Sequence, residues 1–242
     1  MTDAEILAVA AVLVGGACHS ATGFGFVLVA GPLVVAALPP EKAITSLLGL
    51  GIVTSALTLL TEARHPYPLW RESASILAWG AGGALAGAYL LAQLDATALQ
   101  LLVTAAIIAT LVARRLEHGS DPFRRLPVVG LTAGVLTTTT SANGPPILLY
   151  LLGRQVGPAR MRDTLSVTFI GFALVGLAAL AVGDPDVAPP DGIVAVVMLT
   201  AAAGGHVAGR PLFARLAAGR YDQVVTGLLI VSVVTGAIVA LA

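Results

Sequence analysis

The chain has 242 residues, of which 57% are hydrophobic and only 11% are charged, and its mean hydropathy is +0.93. So few polar residues cannot cover a water-soluble domain of this length, so the composition predicts an integral membrane protein. The formal net charge is zero and the basic residues form no run, which argues against a nucleic-acid partner. A single cysteine, Cys18, excludes an internal disulfide, and the four histidines lack metal-ligand spacing, so we expect no metal or cofactor.

Apolar stretches bounded by charged residues, glycines and prolines follow one another along the chain. The first five cover residues 4–22, 24–38, 43–61, 72–91 and 97–113. After a hydrophilic link at 114–125, five more cover residues 126–141, 145–152, 164–182, 192–209 and 223–241. The first stretch opens with Asp3 and Glu5 in place of the basic residues of a signal peptide, so we expect it to belong to the mature fold.

The order of lengths and breaks is the same before and after the link, which indicates a duplication. Identical residues support it: Gly82, Gly83, Ala86, Gly87, Leu90, Ala92 and Leu94 recur without a gap as Gly204, Gly205, Ala208, Gly209, Leu212, Ala214 and Leu216. Small residues at helix contacts could match by chance, but order, spacing and identity agree, and transporters commonly contain internal repeats. We therefore expect one transmembrane repeat at 1–113, a cytoplasmic linker at 114–125 and a second repeat at 126–242.

The first apolar region of each half decides how the halves are related. As one helix, residues 4–38 would be roughly 50 Å long, well beyond the ~30 Å hydrocarbon layer. The region must therefore fold back, either as a re-entrant hairpin or as two short spans. Either way each half crosses the membrane an odd number of times, which inverts the second half. The predicted fold is all-α, with two inverted repeats, each a broken or re-entrant helical hairpin followed by three transmembrane helices.

The basic residues test this arrangement independently. With the fold-back, all 13 lysines and arginines except Lys42 fall on one side of the membrane. The positive-inside rule makes that side cytoplasmic. The chain is thus expected to be a multi-pass protein of the plasma (inner) membrane with both termini extracytoplasmic.

Helix-breaking residues and hydroxyls concentrate at the two fold-backs. One break lies near Thr22 and Gly23, and the other lies near Ser141, where Pro145 and Pro146 suit the first turn of a new helix. A restarting helix points free N–H groups and a positive dipole end toward the break, which together form an anion site. The residues expected to bind a small anion near the midplane are His19, Ser20, Thr22, Gly23, Phe24, Gly25, Thr140, Ser141, Asn143, Gly144 and Pro145. The alternative is two tight turns whose hydroxyls bond back to nearby carbonyls.

Three segments together resemble a known family over nearly the whole chain. They are Thr22-Gly23-Phe24-Gly25 leading to Pro32, Asn143-Gly144-Pro145-Pro146 leading to Leu151, and the repeated Gly-Gly-x-x-x-Gly followed by a leucine and a short polar loop. This pattern is similar to the sulfite exporter TauE/SafE family of membrane permeases. The resemblance implies transport, as an exporter, of sulfite, an organosulfonate or a related anion.

Coupling to protons would need an intramembrane titratable group. No Asp or Glu lies in the middle of an apolar stretch, so the candidates are His19 and His206, whereas Arg210 is expected to snorkel to the interface. The alternative for each histidine is a neutral hydrogen bond between helices.

Three functions other than a secondary transporter of sulfite-type anions stay open. They are an anion channel with the same site, a transporter of small carboxylates, and an intramembrane hydrolase using Ser20 or Ser141. The hydrolase is disfavoured because the sequence has no Gly-x-Ser-x-Gly elbow, so we expect no enzyme. The expected partners are a small anionic substrate and membrane lipid, and a homodimer is one oligomeric state open to the chain.

Overall fold

In a computed structural model the chain is built from α-helices, and the part of it that the structure describes contains no strand. The described residues are 2–62, 64–93, 125–183 and 192–215, together with single helical positions at 98, 101, 105, 108, 223, 227, 230 and 234. The structure therefore describes the expected stretches 97–113 and 223–241 only at those single positions. Of the link at 114–125 it describes only the last residue.

Eight helices occupy the described ranges: α1 (Asp3–Thr22), α2 (Phe26–Ala37), α3 (Pro40–Leu60), α4 (Trp70–Leu91), α5 (Leu126–Thr140), α6 (Gly144–Gly153), α7 (Pro158–Gly183) and α8 (Gly192–Arg215). Five of them, α1, α3, α4, α7 and α8, are long and apolar enough to cross a bilayer. The shorter α2, α5 and α6 are the helices on either side of the predicted fold-backs. The chain is therefore an integral membrane protein of the all-α class.

The first fold-back occurs where the sequence predicted it. Helix α1 ends at Gly23, whose φ of 82° is left-handed, and Gly25 has a φ of 97° before α2 begins. These angles are cheap only for glycine, because it has no Cβ. Helix α2 then runs back along α1, with the Phe26 carbonyl 2.8 Å from where a Cβ on Gly15 would stand.

The second fold-back has the same form with different residues. Helix α5 ends at Ser141, a serine held at a left-handed φ of 57°, and α6 starts at Gly144 with prolines in its first turn. Proline suits that turn because its missing N–H would have no intrahelical partner. Both apolar regions are thus pairs of helices joined at a break.

Helices α7 and α8 extend well beyond the apolar stretches predicted from the sequence. Helix α7 begins at Pro158 instead of residue 164, and α8 continues beyond residue 209 to Arg215. The apolar pattern stops at charged residues, whereas the helix includes them because Arg162 and Asp163 find ionic partners within the protein. The first turns of α7 are therefore helical although they contain the charged residues Arg162 and Asp163.

The first helix of each half packs closely on the fourth helix of the other half. Helix α1 contacts α8 through Leu13 and Ala17 against Gly205 and Gly209, and α4 contacts α5 through Gly83 and Gly87 against Leu131 and Val135. In both pairs the residue numbers rise together, so the paired helices run parallel. The contacting glycines are those that recur in the sequence, because only glycine lets the backbones approach so closely.

Candidate functional site

One cavity lies between the two breaks, with α3 and α7 forming its remaining walls. The volume of this cavity is about 40 Å³. At ~10–15 Å³ per water on that measure, it has room for about three waters, or one small anion. Its lining residues are His19, Phe24, Gly25, Phe26, Val27, Leu28, Leu47, Leu48, Gly51, Ser55, Ser141, Ala142, Asn143, Gly144, Pro145, Phe169 and Ala173.

Two helix N-termini face this cavity. Helix α2 starts at Phe26 after Gly25, and α6 starts at Gly144 after Asn143; neither start receives a side-chain cap. The first-turn N–H groups of a helix have no partner within it, and the helix dipole makes that end positive. The two ends differ, since prolines remove two donors from the first turn of α6. The break before α2 therefore offers more backbone donors than the break before α6.

Among the described residues four polar side chains line the cavity, and three of them make a hydrogen bond. The His19 ring, 2% exposed, lies with Nε2 3.4 Å from Ser55 Oγ of α3. Asn143 donates through Nδ2 to Thr137 Oγ1 at 3.0 Å. Ser141 completes the set, and no lysine, arginine or carboxylate is among the described residues that line the cavity. An anion here would therefore be bound by backbone and neutral dipoles, with His19 as the one titratable group.

The hydroxyls of Thr22 and Thr140 do not line the cavity and instead brace the two turns. Thr22 Oγ1 lies 2.8 Å from the Cys18 carbonyl and 2.7 Å from the Phe24 carbonyl, and it accepts from the Phe24 N–H. Thr140 Oγ1 donates to the Leu136 carbonyl at 2.9 Å and accepts from the next residue but one. These two residues make the local bonds that the turn alternative predicts, and they do so equivalently in both halves.

Two further predicted residues, Ser20 and Gly23, lie behind the first break, against α7. The Ser20 side chain is fully buried, and its hydroxyl has no partner among the described residues. The Ser20 carbonyl accepts from Arg162 Nη2 at 2.6 Å, and a Cβ on Gly23 would stand 2.9 Å from the Arg162 Cα. Neither residue lines the cavity, although both shape the loop that does.

Sequence reasoning missed an ionic network formed by Glu62, Arg64, Arg162 and Asp163. It lies where α3 ends and α7 begins, and we call this end of the molecule the arginine-rich end. Arg162 and Asp163 are 2% and 1% exposed; Arg162 pairs with Glu62, and Asp163 accepts from Arg64 at 2.7 and 3.0 Å. Arg64 also contacts Glu62 at 3.1 Å, and hydrogen bonding to Asp163 raises the pKa of the Arg64 guanidinium. The network joins the segment after α3 to the start of α7.

The adjacent Arg162-Asp163 pair shortly after Pro158 was the available signal for this network. The absence of carboxylates from the middle of the apolar stretches holds, but it did not reveal that Asp163 is buried within a helix end. Each of these two residues has a partner of opposite charge. Such pairing is what allows a charge to be buried.

His206 lies apart from the cavity, between α8 and the end of α3. Its Nε2 is 3.0 Å from Thr61 Oγ1, and its Nδ1 has no partner within the described ranges. Arg210, one turn on, is exposed and donates to the Thr61 carbonyl at 2.7 Å. The interhelical hydrogen bond is the arrangement that the neutral alternative predicts for His206.

The serines nominated for a hydrolase do not meet a histidine in the described structure. The hydroxyl beside His19 belongs to Ser55, and the His206 ring faces Thr61. A nucleophilic serine needs a base within hydrogen-bond reach, and neither Ser20 nor Ser141 has one among the hydrogen bonds of the described residues.

Comparison with protein families matches residues 7–236 to the model described as sulfite exporter TauE/SafE. Neither the curated proteins nor the solved structures gave a match. The matched range takes in both breaks, the ionic network and every residue that lines the cavity. The chain therefore belongs to the sulfite exporter TauE/SafE family.

Proposed function

We propose that this chain is a secondary transporter that exports a small oxyanion, sulfite or an organosulfonate, and binds it in the cavity between the two breaks. Membership of a family of membrane transporters for sulfite-type and sulfonate-type anions supports the class of substrate. The observation that carries the proposal is the pair of uncapped helix starts, at Phe26 and Gly144, on one cavity.

The strength of such a site suits transport. A helix N-terminus contributes about 0.3–1 kcal/mol to anion binding, and up to ~2 kcal/mol when partly buried. Each hydrogen bond to the charged ligand adds about 1.5–3 kcal/mol. Asn143 and Ser141 would supply side-chain donors, and His19 would bind or release a proton beside the anion. Because no lysine or arginine is among the described lining residues, we expect the anion to be held firmly enough to bind and loosely enough to leave.

We also propose that the halves 1–113 and 126–242 are inverted repeats joined by a cytoplasmic linker, and that they rock about the site. The exchanged packing of α1 on α8 and α4 on α5 supports a two-fold relation. Corresponding helices α3 and α7 are antiparallel, since Glu62 beyond the end of α3 meets Arg162 near the start of α7 and Leu48 faces Gly176. Antiparallel counterparts are what inversion requires.

The sidedness follows from the arginines and has a direct test. Exposed Gly157, at the arginine-rich end, and exposed Glu41, at the start of α3, are each changed to cysteine after Cys18→Ala. An impermeant thiol reagent should reach Gly157→Cys only from the cytoplasm and Glu41→Cys only from outside, which would place both termini outside. The opposite result would reverse the proposed orientation.

Flux through proteoliposomes tests the function itself. Purified protein is reconstituted, and uptake or efflux of sulfite, a two-carbon sulfonate and a small carboxylate is followed with and without an imposed pH gradient. We expect saturable flux of sulfite or sulfonate that responds to the gradient, with His19 and His206 as the coupling candidates. Conductance that ignores the gradient would favour the channel, flux of carboxylate alone would change the substrate class, and no flux of any anion would refute the proposal.

A further inference from the structure

The buried ionic network lies directly beneath the first break. Arg162 touches the break at two points: its Nη2 binds the Ser20 carbonyl at 2.6 Å, and its backbone packs against Gly23. The residues that follow, Phe24 and Gly25, line the cavity. The position of the Arg162 guanidinium therefore fixes the wall of the site on its arginine-rich side.

Glu62 accepts from the other terminal nitrogen of that guanidinium, Nη1. It follows α3, in the first half of the chain, whereas Arg162 belongs to α7 in the second half, so their ion pair connects the two halves. Arg64 and Asp163 form a second cross-connection beside it, and Asp163 also accepts from the Tyr67 N–H at 3.0 Å. Any movement that separates the halves at this end must part these charges.

Among the described residues the other break has no such network; residues 184–191, which follow α7, lie outside them. Helices α3 and α7 both begin with proline, and Pro40 follows Thr22 at the same interval as Pro158 follows Thr140. At this spacing the counterpart of Arg162 is Ile44, which is fully buried in an apolar cluster with Leu47 and Leu48. In the described structure the start of α3 packs through apolar side chains, whereas the start of α7 is held by ion pairs.

A buried ion pair is stable either when it is intact or when its two charges are fully separated and solvated. Separating Glu62 from Arg162 inside the protein would take a carboxylate away from a guanidinium that is only 2% exposed, which is unfavourable. The same separation becomes tolerable if water enters, because the charges are then solvated. A pair of this kind favours a fully closed or a fully wetted arrangement over anything between.

From this asymmetry we propose that the Glu62–Arg162 ion pair is the latch of the arginine-rich end, and that it must part before the cavity opens to that side. The inference rests on the proposed alternation between two accessible states. Arg162 acts as a positioning residue, because it sets the first break through the Ser20 carbonyl without lining the cavity.

Accessibility of a cavity cysteine tests the latch without any transported anion. Ala173 lines the cavity roughly 22 Å along α7 from Pro158, so Ala173→Cys after Cys18→Ala reports on the middle of the protein. Modification by an impermeant methanethiosulfonate is timed from each side in oriented vesicles. Glu62→Gln should accelerate modification from the arginine-rich side about tenfold or more, since a lost charge-assisted contact shifts a two-state equilibrium by that order.

The matched control is Glu72→Gln, which removes a carboxylate from an exposed pair with Arg154 at the same end of the molecule. It should leave the rate unchanged. The latch is overturned if the cysteine at position 173 is modified at the same rate with and without Glu62→Gln. It is also overturned if Glu72→Gln accelerates modification equally, or if modification from the arginine-rich side is already rapid when Glu62 is unchanged. If Glu62→Gln does not fold, Glu62→Asp keeps the charge with a shorter arm, and acceleration by it supports the latch while an unchanged rate overturns it. Failure of anion flux would refute the proposed function and leave this comparison intact.

Discussion

Adjacent glycines of α8 should respond oppositely to the same substitution. A Cβ on Gly205 would stand 3.1 Å from the Ala17 nitrogen and nearer still to the Leu13 carbonyl, whereas a Cβ on Gly204 meets nothing within 4 Å. The atoms in the way are backbone, so α1 and α8 would have to move apart, which typically costs about 1–3 kcal/mol. Both alanines gain up to ~1 kcal/mol in helix propensity. The clash cost is therefore the difference in stability between Gly205→Ala and Gly204→Ala.

Thermal unfolding in detergent, followed by loss of monodisperse protein, measures this difference. For a chain of this size about 1–3 kcal/mol corresponds to a gap of roughly 2–12 °C, with Gly205→Ala melting lower. Gly205→Ala should also slow anion flux, because the displaced part of α1 leads directly into His19. A Gly205→Ala protein that melts at or above the Gly204→Ala protein would refute the close packing of α1 on α8.

Two further predictions concern the turns at the breaks. Thr22→Val should lower stability by about 1–3 kcal/mol, because the Phe24 N–H loses its partner, while Thr200→Val on the exposed face of α8 should change little; thermal unfolding of both compares them. Gly23→Ala should destabilise by about 1–2 kcal/mol or more from its left-handed φ, whereas Ser141→Gly should be neutral or stabilising for the same reason, and a destabilising Ser141→Gly would contradict this account.

Much of the architecture was predictable because membrane helices can be recognised in a sequence by their length and hydropathy. The excess length of residues 4–38 required a fold-back, and Gly23 and Gly25 marked its place because they accept left-handed backbone. The pairing of prolines 145 and 146 likewise marked the start of α6. Local chemistry sets these features, so a sequence contains them.

The site was predictable only in part, because side-chain direction depends on helix contacts that are distant in sequence. His19, Phe24, Gly25, Ser141, Asn143, Gly144 and Pro145 line the cavity, whereas four other residues expected to bind the anion, Ser20, Thr22, Gly23 and Thr140, do not. In the sequence, Thr22 and Thr140 cannot be distinguished from threonines that donate a hydrogen bond to a substrate. In the structure their hydroxyls donate to backbone carbonyls nearby in the chain. Ser55, which contacts His19, comes from α3 and had no signal near either break.

The ionic network escaped prediction for a related reason. Arg162 and Glu62 are far apart in the chain and each looks like an ordinary interface charge in its own segment. Only the antiparallel placement of α3 and α7 brings them together and buries Arg162. Pairing between charges in different halves is a property of the fold.

Anion binding by a variant of the second break tests the central claim most directly. Asn143→Leu keeps a similar side-chain volume but removes the amide from the cavity wall, and calorimetric titration with sulfite and with a two-carbon sulfonate compares it with the unaltered protein and with Thr200→Val. We expect measurable affinity for one of these anions in the unaltered protein and in Thr200→Val, and none in Asn143→Leu. Unchanged affinity in Asn143→Leu would contradict binding of the anion between the two breaks.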